Sequence, residues 1–449
     1  MEQVLSIMRR GLYKILLRKR ISAVTQTGAE VVYYSSRQVK ERYQVKKFNE
    51  VWQIARQNVP FYGKWQKRFG LPDRISGLEE LKDWPILTKS DLRNLEDFQR
   101  TDVPYPKDLI LTGGSTGEPV RLPKKFDPTV GPSQLMGRAR YGVEVGDRTF
   151  LLWGHEHLYG TGFKRKINIL KRRLKDWLAD WMRVSAYDLG MSAMTAAFKK
   201  FQAFRPKFVY GFSPAVLAFC RINRVHRREV DGVKVVLCSS GPLTDAEKSE
   251  IEDFFGAKVC MEYGSVECGI MAYTRPEDGE YDVFWNTHLL QAKKENGEYR
   301  NIVTRLTDCY VPLIRYDIGD YLDLDPAQEA DNKRSVLEIR SVKGRPSEML
   351  QFKCGVSFFG ALIGDCVKQV VKVIQSQIVV DQERDALSIS VVTNGEQLRE
   401  EDKDLIIGRI KLTVNDASKL NLSVVQVDKL WTTVGGKTPR IVQRKLEKS

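Results

Sequence analysis

Short apolar runs that alternate with helical stretches set the strongest limit on what this chain can fold into. Runs with extended character begin near Leu109, Thr149, Phe208, Val233, Lys258, Tyr299 and Tyr321, and helix-length segments such as residues 192–204 and 244–255 separate several of them. Strands joined through helices return parallel to one another, so the alternation predicts an α/β domain. Residues 51–97 read as helical and polar, punctuated by Pro60, Gly70, Pro72 and Pro85. After Gly344 the pattern changes: residues 376–380 and 387–392 read as strands, 400–414 as a helix and 422–427 as a last strand. At 449 residues the chain exceeds the size at which one core keeps growing. The expected organisation is a large α/β N-terminal domain with subdomains over residues 1–342 and a small α+β C-terminal domain over 343–449.

Residues 109–122 read LILTGGSTGEPVRL, two extended apolar runs around a core of glycine, serine and threonine. Glycines let backbone amides approach a ligand, and hydroxyls add donors without charge, a combination suited to phosphate oxygens. A Walker P-loop is excluded, because Glu118 and Pro119 follow Gly117 where that motif needs lysine and a hydroxyl. An ordinary hairpin loop is the competing reading at this point.

Seventy-two lysines and arginines against 57 acidic residues give a net charge of +15, which favours anionic partners without choosing among nucleotides, nucleic acid and lipid. A nucleic-acid-binding role is disfavoured, since the basic helices lack the interleaved aromatic platform of an RNA-binding sheet and no RNP-type run is present. Seven cysteines without a Cys-x-x-Cys pair suit reduced thiols and a cytoplasmic location. Cys260, Cys268 and Cys309, with His288 between, are too irregularly spaced for a metal set and are expected to be buried thiols. No apolar run is long enough to span a membrane. Two basic amphipathic helices are expected. In residues 1–24, Val4, Met8, Leu12, Ile15 and Leu16 recur at helical spacing among Arg9, Arg10, Lys14, Arg18, Lys19 and Arg20, charges that interrupt any signal-peptide core. In residues 163–184, Leu170, Leu174, Trp177, Leu178 and Trp181 form a stripe beside eight basic and two acidic residues. Such stripes ordinarily pack on their own domain, while basic flanks and tryptophans also suit peripheral contact with an anionic membrane.

Further stretches carry chemistry: CSSGPL at 238–243, EYGSVE at 262–267, PLIRYDIGD at 312–320, GRPSEML at 344–350 and GGKTPR at 435–440. With the 109–122 loop, in this order, they resemble the adenylate-forming (acyl- and aryl-CoA synthetase) superfamily, and within it the phenylacetate-CoA ligase family and its CapK-like branch associated with surface polysaccharide synthesis. ARQNVPFYGKW near Ala55, DWPILTKSDLR near Asp83 and RPKFVYGFSPAVLAF near Arg205 extend the resemblance over nearly the whole chain.

The resemblance implies an ATP- and Mg²⁺-dependent ligase that converts a carboxylic acid to an acyl-adenylate and passes the acyl group to coenzyme A or an amine. Thr112, Gly113, Gly114, Ser115, Thr116 and Gly117 then hold the ATP phosphates, and Ser240, Gly241 and Pro242 line the adenine. Glu262, Tyr263, Gly264 and Ser265 belong to the nucleotide site, with Tyr263 stacking near the base. Glu267 holds Mg²⁺, Asp320 accepts from the ribose hydroxyls, and Arg345 sits beside the ribose. Lys437 is the mobile late lysine, on a small domain that swivels between half-reactions, and reaches the α-phosphate and the acid. By position, His155 and His157 in LLWGHEHLYG approach the acyl pocket, where a neutral imidazole orients the acceptor or takes its proton. Two departures stand out. Val266 occupies a position where the family writes threonine or serine, with Ser265 as the stand-in, and Ser347 follows Pro346 where an acidic residue is common. They motivate the alternative of a non-catalytic adenylate-binding partner protein.

Overall fold

The computed structural model of the protein describes residues 11–13, 15, 36–105, 109–111, 121–123, 130–153, 162–186, 191–239, 241, 243, 245–295, 298–324, 339–344, 349–359, 363, 366–367, 370, 373–393, 395–414, 416–431 and 441–443. Helices α1 (Arg37–Asn58) and α2 (Pro60–Phe69) come first. Proline opens α2, where its missing N–H costs no helical bond, and Gly70 closes it at φ 62°. The arms of the glycine-rich stretch are β1 (Leu109–Leu111) and β2 (Arg121–Pro123), an antiparallel pair with Leu111 opposite Arg121. Helix α3 (Val130–Ala139) follows.

The α/β alternation comes next: β3 (Thr149–Leu152), α4 (Gly162–Leu178), β4 (Trp181–Val184), α5 (Met191–Phe204), β5 (Phe208–Phe212), α6 (Ser213–Ile222), β6 (Val235–Ser239), α7 (Asp245–Phe255) and β7 (Lys258–Ser265). These strands lie parallel in the order β4-β3-β5-β6-β7. Every residue of β3 and β6 is buried, as expected of parallel strands covered on both faces. The same sheet continues from β7 as an antiparallel half, β8 (Gly269–Thr274), β9 (Tyr281–Val283), β13 (Ile339–Gly344), β12 (Tyr316–Leu324), β11 (Glu298–Arg305) and β10 (His288–Glu295), making 11 strands.

One expectation needs correction here. The helix read over residues 163–184 ends at Leu178: Asp180 turns at φ 56°, and Trp181 to Val184 pair with β3 as strand β4. The helical stripe therefore excludes Trp181. Of its remaining members Leu170, Leu174 and Trp177 are exposed and only Leu178 is half-buried, so most of the stripe does not pack inward; Ile167, on the same face, is also exposed.

The polar reading of residues 51–97 understates that segment's role. Trp52, Tyr62, Leu81 and Leu87 are fully buried in one core with Tyr316 and Ile318. Beyond Gly344, β14 (Met349–Gln351) pairs with β15 (Ser357–Phe359). A separate four-stranded sheet has the order β18 (Asn421–Gln426), β17 (Ala386–Thr393), β16 (Val373–Asp381) and β19 (Ile441–Gln443). Helix α8 (Glu400–Thr413) buries Ile406 and Ile410 in the same core as Ile378, Leu387 and Ile389. Of the basic helix expected over residues 1–24, only residues 11–13 and 15 are described, and they are helical.

Candidate active site

The chain visits β4 on one side of β3 and then crosses back to β5 on the other. Such a reversal opens a crevice beyond the carboxyl ends of the strands, the usual ligand position in open α/β sheets. Register places those ends side by side: Leu152 against Gly211, Phe212 against Ser239, and Cys238 against Met261. Gly211 cannot be larger, because a Cβ there would meet Val216 Cγ2 at 2.7 Å and Leu152 Cβ at 2.8 Å. Trp153, just past β3, packs at a 39° tilt against Tyr210 at 4.8 Å and Phe212 at 4.2 Å between centroids, giving the crevice an aromatic wall.

The turn after β6 is tied down from α6. Buried Ser213 shares its one hydroxyl proton between Gly241 O at 2.8 Å and Ser239 O at 3.2 Å, which ties residues 239 and 241 to α6. Next to it, β7 carries EYGSVE. Tyr263 donates to Asp320 Oδ2 at 3.1 Å and accepts from Asn301 Nδ2 at 2.8 Å. This bond joins EYGSVE to YDIGD across two different strands. Burial pushes the Tyr263 phenol well up, with Asp320 adding to the shift, so the hydroxyl stays protonated and able to donate. Gly319, at φ 83°, donates to Asp317 Oδ1 at 2.9 Å and makes the bend that precedes Asp320.

Gly264 has no space for a side chain: a Cβ would lie 2.5 Å from Gly269 O across the tight β7–β8 connection. Within that connection, Ser265 Oγ accepts from Cys268 N at 3.0 Å, which caps the turn. Val266 is 50% exposed, whereas Glu267 is buried with its Oε1 accepting from Tyr316 Oη at 3.2 Å. Among the described residues no group of three His, Cys, Asp or Glu converges to hold a metal. A single hard carboxylate with the remaining positions filled by phosphate oxygens and water is nonetheless the normal donor set for Mg²⁺, so Glu267 fits that ion.

Glu262, expected with the nucleotide residues, is placed differently. Strand alternation turns it to the opposite sheet face from Tyr263. There its carboxylate accepts from Tyr210 Oη at 2.7 Å and from Tyr273 Oη, with Arg138 Nη2 at 3.8 Å. The Arg138 guanidinium lies 4.7 Å from the Tyr210 ring centroid. Burial opposes its charge, and Tyr273, Tyr210 and Glu262 outweigh that effect. Helix α3 comes close enough for this only because residue 137 is glycine; a Cβ there would enter the Tyr273 ring. This buried quartet, the Trp153 wall, Ser213 and Asn301 escaped the sequence reading, since each depends on a partner far away in the chain.

Thr112, Gly113, Gly114, Ser115, Thr116, Gly117, His155, His157, Ser240, Pro242, Arg345 and Lys437 lie outside the described residues, as do Pro346 and Ser347. Cys260, Cys268 and Cys309 are buried thiols, and His288 makes close contacts with Thr287 Oγ1 and Cys268 O at 2.9 Å each. Burial pushes the Cys260 thiol up to about 12.

No family model matches the chain. Protein CapK of Staphylococcus aureus is 24% identical over 401 residues, covering 88% of this chain and 87% of that protein. The phenylacetate-coenzyme A ligase of Aromatoleum evansii is 23% identical over 370 residues, covering 77% of this chain and 80% of that protein. Among solved structures, 2-hydroxyisobutyryl-CoA ligase in complex with 2-HIB-AMP and CoA in the thioesterification state superposes with a TM-score of 0.56 at 16% identity, covering 91% of this chain and 90% of that one. The same enzyme in the postadenylation state gives 0.54 at 15% identity, covering 92% and 93%. At such identities the structural likeness speaks for the fold.

Proposed function

The chain belongs to the adenylate-forming, phenylacetate-CoA ligase-like family, and we propose on that premise that it is an ATP-dependent carboxylate ligase. Acid and ATP give acyl-adenylate and pyrophosphate; the acyl group then passes to coenzyme A or an amine, with release of AMP. The observation that carries this reading is the Tyr263–Asp320 bond. It brings two separate motifs together beside the β6 turn, at the strand ends where a ligand is expected.

A carboxylate is ionised at pH 7 and needs no base to attack the α-phosphorus. It needs alignment and relief from anionic repulsion. In this reading the Tyr263 ring stacks on the base, and Asp320, already fixed by the Tyr263 hydroxyl, accepts from the ribose. Glu267 holds Mg²⁺, which when bound offsets phosphate charge. Thr112 to Gly117 supply amide and hydroxyl donors to the phosphates, Arg345 flanks the ribose, and Lys437 brings a point charge to the α-phosphate and the acid. Glu262 acts through its neighbours, holding β7 against α3. His155 and His157 follow the Trp153 wall in the chain and serve the acyl acceptor. ATP and coenzyme A place the reaction in the cytoplasm. The CapK-like resemblance points to an acid or acceptor of surface-polysaccharide synthesis.

A panel of hydroxy, aromatic and sugar acids, each with ATP, Mg²⁺ and either coenzyme A or an amine, tests the reading. Acid-dependent pyrophosphate release followed by thioester or amide formation supports it. Pyrophosphate release that depends on no acid would contradict it.

A further inference from the structure

Helix α4 is built inside out. A surface helix normally turns its apolar stripe to the core and its charges to water. Here Ile167, Leu170, Leu174 and Trp177 recur at spacings of three, four and three on one face, and are 39, 68, 56 and 48% exposed. The opposite face meets the protein with half-buried Asn168, Ile169 and Arg172 and with buried Asp176. Both carboxylate oxygens of Asp176 are held by Arg183 of β4, at 2.8 and 2.9 Å. The helix is therefore anchored through a mixed face, with the Asp176–Arg183 ion pair at its centre and half-buried Leu178 at its end, while its outward stripe faces solvent.

Charge identifies what fits the stripe. Lys166 and Arg173 border it on one side and Lys171 and Lys175 on the other, all exposed. Basic flanks, a leucine-rich centre and a tryptophan match the headgroup region of an anionic bilayer, where the ring sits at the interface and each basic residue adds attraction. Among the described residues no helix is long and apolar enough to cross a membrane, so the contact would be along the surface.

We propose that α4 lies on an anionic phospholipid surface, with Ile167, Leu170, Leu174 and Trp177 entering the headgroup boundary and the flanking lysines and Arg173 meeting lipid phosphates. The contact sits at the sheet edge next to β4. It is independent of the ligase reading.

Cosedimentation of the full chain with phosphatidylcholine vesicles, with and without phosphatidylglycerol, tests it. Two variants, each first required to melt like wild type, are compared with it: Leu170→Ser with Leu174→Ser, and Lys166→Gln, Lys171→Gln, Arg173→Gln and Lys175→Gln together. The expected result is pelleting only with phosphatidylglycerol, reduced several-fold in either variant, and abolished near 1 M salt, where screening acts within about 3 Å. Absence of pelleting at low salt overturns the proposal. So does wild-type pelleting of both variants, which would place the contact elsewhere, for instance in residues 1–24. A concentration-dependent dimer that Leu170→Ser with Leu174→Ser dissociates, without vesicle binding, would assign the stripe to a second copy and overturn it equally.

Discussion

Tyr263 shows how one hydroxyl can hold a site together. It bonds Asn301 on β11 and Asp320 on β12, and its own strand ends at Ser265, two residues before Glu267. Tyr263→Phe removes the hydroxyl shared by Asn301 and Asp320 and should cost about 1–3 kcal/mol of stability by chemical denaturation. The same variant should weaken nucleotide binding by about tenfold, if Asp320 loses the partner that positions it. Gly264→Ala forces a Cβ against Gly269 O and should cost about 1–3 kcal/mol, with an unchanged melting transition counting against the close approach. Arg138→Met removes the only described cation beside the Glu262 carboxylate and should destabilise by about 3–5 kcal/mol. Burial raises the phenols of Tyr210, Tyr263 and Tyr273 well above the ordinary tyrosine value. The unfolded chain then loses these protons first, so stability present below pH ~10 should fall as the pH rises beyond it. Denaturant midpoints measured on either side of that pH check the sign.

Elements at the N-terminal side of the sheet support the YDIGD strand. Tyr62 on α2 donates to Pro312 O at 2.6 Å and accepts from Ile314 N at 3.3 Å. Leu87, in DWPILTK, accepts from Asp317 N at 2.9 Å and donates to Arg315 O at 3.0 Å. The segments that seemed merely polar are thus the buttress under Asp320. Tyr62→Phe should cost about 1–3 kcal/mol and speed hydrogen exchange at Ile314, with exchange at β6 unchanged. These relations explain what could be read in advance. Strand–helix alternation is a local signal, and β3, β5, β6, β7, α5 and α7 follow it closely. Strands β8, β9, β10 and β13 carry mixed faces and no helical spacers, so alternation did not mark them. The end of α4 escaped because Trp181 continues the helical spacing, while the left-handed turn at Asp180 leaves no hydrophobic signature. At the site, EYGSVE and YDIGD were each marked singly in the sequence. The pairing of Tyr263 with Asp320, and of Glu262 with Arg138, follows from which sheet face each strand presents.

Over the whole molecule, an 11-stranded mixed sheet carries the crevice and a separate four-stranded sheet follows it in the chain. Catalysis in this account requires residues from both, since Lys437 lies between β18 and β19 in sequence whereas Tyr263 and Asp320 belong to the large sheet. A late lysine that acts on charge developing in the transition state contributes little to ground-state nucleotide binding. Acid-dependent exchange of pyrophosphate into ATP, measured with a responsive acid for wild type and for Lys437→Ala beside ATP binding by calorimetry, tests the central claim most directly. The account predicts robust exchange in the wild type and, in Lys437→Ala, a loss of orders of magnitude with ATP affinity nearly intact. ATP binding without exchange for any acid would contradict it and identify a non-catalytic adenylate-binding protein.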